Sequence, residues 1–176
     1  MKGPWTCCRR RLCARLAVAK IKKPIDETGE IAVSRTDFRD FTSKLYEIVS
    51  TPGPDRDWEA ERALYHPDAR LVRTGLNNDG SSFAKVMSFD EFIENADEML
   101  INAEFSELEI GHEARIFGNV AQVASIYEKS LKSETEEIHG RGINFFNLVY
   151  DGSNWLIMSI VWDNEREGVS LSDLGL

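Results

Sequence analysis

The chain has 176 residues, 42% of them hydrophobic and 29% charged, with a formal net charge of −9. That is the composition of a globular chain of one domain, long enough to bury a core without disulfides or metals. Its longest apolar runs, such as Leu156 to Trp162, are strand-sized and fall short of the roughly 20 residues a membrane-spanning helix needs, which excludes a bilayer span.

Residues 1–25 hold eight Lys and Arg and no acid, so taking those eight from −9 leaves −17 on the remainder. An acidic body of that size repels phosphate backbones and argues against nucleic-acid binding. Cys7, Cys8 and Cys13 all lie in this basic leader. The body therefore has no thiol, and Cys-Cys-x4-Cys without a nearby histidine is not a zinc spacing. The apolar stretch Leu12 to Ala19 is short and broken by Arg15, a poor secretory signal. An organellar transit peptide, a disordered tail or a start codon placed too far upstream each fit such a leader, and the expected compartment is the cytoplasm. Residues 1–35 are read as leader and linker, disordered, residues 36–167 as the domain, and 168–176 as a tail.

Ordered structure is expected from Thr36, a helix cap, with Asp37 in the first turn and an apolar stripe at Phe38, Phe41, Leu45, Ile48 and Val49. Pro52-Gly53-Pro54 ends that helix. A shorter helix follows from about Asp57 to Tyr65, stopped at His66-Pro67 because the residue before proline avoids the helical region. The chain then reads as a strand through Ala69 to Arg73, a loop at Asn77 to Ser82 and an edge strand from Phe83 to Met87. Ser88 with Glu91 three residues on forms a capping box for a third helix carrying Phe89, Phe92, Ile93, Ala96, Met99 and Leu100.

Beyond it the period changes to two. Phe105 to Phe117, Val120 to Leu131, Ile138 to Tyr150 and Asn154 to Asp163 read as four strands, with turns at Gly118-Asn119 and Asp151-Gly152. Three helices followed by long antiparallel strands predict an α+β fold, the helices packed on one side of one strongly bent, mainly antiparallel sheet.

The order of these elements, with Tyr65-His66-Pro67-Asp68-Ala69-Arg70-Leu71, Arg115-Ile116-Phe117-Gly118-Asn119-Val120-Ala121, Arg141-Gly142-Ile143-Asn144 and Tyr150-Asp151-Gly152-Ser153-Asn154-Trp155, resembles the nuclear transport factor 2-like superfamily over about residues 36 to 167, and within it the SnoaL-like group of small proteins. The resemblance implies a cone-shaped sheet covered by helices, an apolar pocket inside the cone and a homodimer through the outer sheet face. Its enzymes include ketosteroid isomerases, scytalone dehydratases, limonene epoxide hydrolases and polyketide cyclases. They use a few polar groups in a dry cavity, where the pKa values of carboxylates and imidazoles move toward neutrality. Other members bind ligands or proteins without chemistry, and neither the isomerase tyrosine-and-two-aspartate set nor the epoxide hydrolase arginine-and-two-aspartate set aligns with this chain.

The candidate catalytic residues are therefore His66, Asp68 and Asp163. His66 as base with Asp68 as orienter competes with a helix stop followed by a solvated turn acid; Asp163 as base competes with a turn acid paired to Arg166 while Trp162 points inward. Candidate ligand contacts are Tyr46, Trp58, His112, Arg141, Asn144, Phe146 and Trp162. Strict alternation puts His112 on the face of Leu108, Ile110, Ala114 and Ile116, and Ile116 fails the second position of a His-Glu-x-x-His zinc motif. Gly140 and Gly142 allow a bulge, a sharp bend or a ligand's close approach. There is no phosphate loop, nucleophile elbow or clustered ligand set. The expected protein takes a small apolar molecule without metal or organic cofactor, as a cofactor-free isomerase, cyclase, dehydratase or hydrolase, or as a non-catalytic binding or interaction module.

Overall fold

The computed structural model describes residues 38–52, 55–100 and 103–174. The basic leader, its cysteines and the Thr36 cap lie outside these residues. All the described residues belong to one compact unit. Among them no helix is long and apolar enough to cross a membrane.

Three helices and six strands alternate as α1 (Arg39–Val49), α2 (Trp58–Arg62), β1 (Tyr65–Leu76), β2 (Ser82–Met87), α3 (Phe89–Leu100), β3 (Glu104–Phe117), β4 (Val120–Lys132), β5 (Glu137–Tyr150) and β6 (Trp155–Asn164). The strands form one sheet in the order β2-β1-β6-β5-β4-β3, antiparallel except where β1 runs parallel to β6. This is the expected α+β arrangement, and the long strands begin and end within a residue or two of their expected positions.

The helix starts show how the sequence sets each element. Helix α1 begins after Phe38, whose φ of 59° is left-handed and which makes no side-chain cap. Its ring is 3% exposed and meets Phe41 and Trp155 edge-on, so packing rather than a cap fixes the entry of the chain. The second helix is shorter than its expected span. Asp57 caps it by accepting from the Ala60 N–H at 2.9 Å, and from Tyr65 the chain is already strand. Pairing with β6 then skips from Tyr65 to Arg70, across Pro67, which has no N–H for a ladder bond. The capping box of α3 forms in both directions, Ser88 N–H to Glu91 at 2.7 Å and Glu91 N–H to Ser88 Oγ at 3.2 Å.

The concave face of the sheet is built in rows of residues directly opposite one another. One row is apolar: Met87, Leu71, Ile160, Phe146, Val123 and Ala114 across β2, β1, β6, β5, β4 and β3. It forms the floor on which α1 and α3 pack, and all of it but the half-buried Ala114 belongs with Leu148 and Ile157 to the buried core. Each such buried side chain contributes about 1.5–3 kcal/mol, so a register slip of one residue would be heavily penalised.

Candidate functional site

The row beside the apolar floor is polar. Lys85, Arg73, Trp162, Asn144, Ser125 and His112 stand opposite one another across the same six strands. A β-bulge makes this row possible. Pairing of β3 with β4 jumps from Glu109 opposite Tyr127 to Gly111 opposite Ile126, leaving Ile110 as the extra residue. Before the bulge the inward residues are Phe105, Glu107 and Glu109; after it they are His112 and Ala114. The strict alternation that put His112 with Leu108 and Ile110 is thereby corrected: those two are 66% and 46% exposed, while the His112 side chain is 3% exposed.

Above the polar row the concave face and the helices enclose a cavity of about 640 Å³. Leu45, Met87, Phe92 and Leu131 supply apolar wall. The polar lining includes Tyr46, Asn144, Glu107, Lys129, Arg73 and Lys85, with the Arg56–Glu61 pair at the helical side.

Tyr46 and Asn144, both expected in the pocket, meet there. Asn144 Nδ2 donates to the Tyr46 hydroxyl at 2.9 Å, and that hydroxyl lies 2.8 Å from Ser125 Oγ. Ser125 in turn donates to Glu109, which also accepts from Thr42 at 3.1 Å and lies 2.8 Å from His112 Nδ1. A carboxylate only accepts, so the hydrogens run one way: Asn144 to Tyr46, Tyr46 to Ser125, Ser125 to Glu109. The phenol hydrogen is thus committed to Ser125, and burial pushes the Tyr46 hydroxyl pKa well up. The second amide hydrogen of Asn144 is not engaged by this chain of bonds, and Asn144 lines the cavity.

Glu107 is the carboxyl of the site whose pKa lies near neutrality. Burial raises its carboxyl pKa from 4.5 to about 7, against the opposing pull of Lys129 and Arg56, while Glu61 pushes the same way as burial. Lys129 stands directly opposite it on β4 and donates to Asn164 Oδ1 at 2.6 Å. Burial lowers the Lys129 pKa, Glu107 opposes that, and Arg73 adds to it. Sequence reasoning missed Glu107 because Leu108 and Ile110 look like the buried phase of β3. The available signal was Gly111, the small residue next to the bulge, where an added Cβ would lie 3.2 Å from Ile126.

The Arg56–Glu61 pair is held by a 2.8 Å hydrogen bond and a 2.7 Å contact, with both side chains 1% exposed. Trp58 stacks on this arginine, its ring centre 4.2 Å from the guanidinium and its edge toward Phe92. It backs the cavity wall without lining it. Trp162 does line the cavity and meets Phe92 edge-on.

The other sequence candidates lie elsewhere. Phe146 is buried in the apolar floor. Arg141 is exposed and bonded to Glu165 at 2.8 Å, since a regular β5 turns it away from Asn144. His66 and Asp68 sit at the start of β1, where His66 Nδ1 accepts the Asp68 N–H at 3.1 Å, and neither reaches the cavity. Asp163 faces the opposite side of β6 from Trp162. Burial pushes its pKa up, but the hydrogen bonds from Arg166, at 2.6 Å, and from the Asn164 N–H outweigh this and hold it low.

Gly140 and Gly142 carry no bulge, because pairing of β4 with β5 is continuous through both. Gly142 instead clears space for a side chain: a Cβ there would lie 2.4 Å from the Tyr127 hydroxyl, which donates to Asn164 at 3.1 Å. Among the described residues no group of three or more His, Cys, Asp and Glu is placed to hold a metal ion.

No family model matches this sequence, and no curated protein is significantly similar to it. Solved structures are similar in fold. The β subunit of a putative aromatic-ring-hydroxylating dioxygenase from Novosphingobium aromaticivorans superposes with a TM-score of 0.60 at 13% identity, over 78% of this chain and 93% of that one. A putative scytalone dehydratase from the same organism gives 0.54 at 14% identity, over 73% and 84%. A nuclear transport factor 2-like protein of unknown function from Pseudomonas putida gives 0.53 at 12% identity, over 74% and 85%. At these identities the likeness shows the fold, and the chain has the nuclear transport factor 2-like fold.

Proposed function

We propose that this protein takes a small, largely apolar molecule into the cone and moves a proton on it without a cofactor, with Glu107 as general base. The observation that carries this reading is the position of Glu107: a carboxyl with a pKa of about 7 in the wall of a 640 Å³ cavity. A base whose pKa lies near the working pH combines a large ionised fraction with real proton affinity.

In the chemistry this supports, Glu107 takes a proton from carbon beside a carbonyl, and the released electron pair moves onto the carbonyl oxygen. The free N–H of Asn144, held in place through Tyr46, Ser125 and Glu109, donates to that oxyanion. The protonated Glu107 then returns its proton at a second carbon, for an isomerisation, or gives it to a departing hydroxyl, whose C–O bond breaks as water leaves, for a dehydration. Cyclisation and hydrolysis begin with the same abstraction, from carbon or from water. His66, Asp68 and Asp163 have no part in this scheme, because none of them lines the cavity.

A neutral benzisoxazole tests the reading. When a base removes the ring C–H proton of 5-nitrobenzisoxazole, the N–O bond breaks and a coloured cyanophenolate forms, so the substrate reports a desolvated base without needing the natural ligand. The expected result is turnover above buffer that rises with pH around a midpoint near 7, disappears in Glu107→Gln and survives in His66→Gln. Equal rates for the native protein and Glu107→Gln would overturn the assignment.

A further inference from the structure

The cavity wall holds more positive charge than the chemistry above uses. Arg73 and Lys85 are directly opposite one another on β1 and β2, and both line the cavity. Like charges placed directly across a strand pair are destabilising, so their juxtaposition is a cost to the fold. Lys129 faces the same space from β4.

None of the three makes an ion pair with a carboxylate among the described residues. The ammonium groups of Lys85 and Lys129 are instead bonded to the neutral amide oxygens of Asn95 and Asn164. Amide partners orient an ammonium group without cancelling its charge. The remaining cation of the lining, Arg56, is neutralised by Glu61 at 2.7 Å. Glu107, directly opposite Lys129, offsets that charge in part, which leaves Arg73 and Lys85 as the uncompensated pair. In a chain of net charge −9 this is a local reversal of sign.

We propose that the ligand of this cavity carries an anionic group, a carboxylate or one of like charge, seated among Arg73, Lys85 and Lys129, with its apolar body against Met87, Phe92 and Trp162. The inference rests on the reading that the cavity holds a small molecule and adds the chemical class of that molecule. An amphipathic acid satisfies both parts of the wall, whereas a purely apolar ligand would leave Arg73 and Lys85 facing one another with no counter-charge. The anionic group also explains why the like-charged pair on β1 and β2 is tolerated: the bound ligand supplies the missing counter-charge.

Two dyes with one ring skeleton separate the outcomes. 8-Anilinonaphthalene-1-sulfonate carries an anion, and N-phenyl-1-naphthylamine lacks it. Fluorescence titrations of the full chain should show the sulfonate binding roughly tenfold or more tightly than the amine, a preference of about 1.4 kcal/mol. Arg73→Gln and Lys129→Gln should each lower sulfonate affinity several-fold while leaving amine affinity unchanged, and added salt should act in the same direction. Lys85→Gln, at an exposed position, gives the same readout if the Lys129 variant loses stability. Equal binding of the two dyes, or a sulfonate preference that survives in the Arg73→Gln/Lys129→Gln double variant, overturns the anion site while the cavity reading stands. If neither dye binds, both fall.

Discussion

Glu107 links function to stability, because a group that titrates near neutrality inside a folded protein changes the pH dependence of folding. Its unfolded-state pKa is the ordinary 4.5 and its folded value is about 7, so between those values the native state holds a proton that the unfolded state has lost. Stability therefore falls as pH rises across that window and levels off above it, by about 3 kcal/mol at most. Glu61, also raised by burial ahead of the opposing pull of Arg56, adds a slope of the same sign. Asp163 and Glu165 are held low and contribute the opposite slope, at more acidic pH. The difference between native protein and Glu107→Gln isolates the one group. Urea denaturation at a series of pH values should show the native midpoint declining from weakly acidic to neutral pH, with a shallower decline in the variant; parallel curves would remove Glu107 as the titrating residue. Tyr46 makes a second, independent prediction. Removing its hydroxyl in Tyr46→Phe leaves Asn144 and Ser125 each short of a buried partner, at a cost of about 1–3 kcal/mol in denaturant unfolding.

The elements show which parts of this protein are legible from residue types alone. The long strands were readable because their alternation is long and their turns carry Gly118-Asn119 and Asp151-Gly152, and α3 was readable because Ser88 and Glu91 are a reciprocal pair. The pocket was only partly readable. Tyr46, Asn144 and Trp162 fall on the predicted face, but the bulge beside Gly111 reverses the phase of β3 and carries Glu107 and Glu109 inward where Leu108 and Ile110 seemed to belong. One inserted residue exchanges the two faces of everything before it, and no count of apolar positions reveals where it sits. Gly142 shows the same limit. The sequence marks it as special, yet only the fold shows that the Tyr127 hydroxyl and the Asp163 carbonyl occupy the space of its missing side chain, at 2.4 and 2.6 Å from a built Cβ. Gly142→Ala should therefore lower stability by about 1–3 kcal/mol, the range for overpacking, in thermal unfolding. Tyr127→Phe should not rescue it, because the backbone carbonyl stays in place. Rescue would mean that the phenol alone required the glycine.

At the scale of the molecule, the inverted phase of β3 leaves an apolar convex surface. Leu108 and Ile110 point away from the helices, and Phe145, on β5 of the same face, is 44% exposed. Glu113 and Arg115 lie on that face of β3, bonded to each other at 2.7 Å. Apolar side chains grouped on an open sheet face, with charges near them, are the pattern of an interface between chains. We propose that a second copy of this chain covers it, forming a two-fold dimer in which the same patch meets itself. The charge of −9 on each copy opposes association, so the apolar contact must supply the attraction. Sedimentation velocity of the native protein should give a dimer that is strengthened by added salt, because screening weakens the repulsion and leaves the apolar contact intact. Phe145→Glu places a new carboxylate against its symmetry mate and should yield a monomer with unchanged far-ultraviolet circular dichroism. Since the cavity opens on the other side of the sheet, that monomer should retain the dye affinities of the native protein. A native monomer at all salt concentrations would sink the dimer and leave the convex face to a different partner.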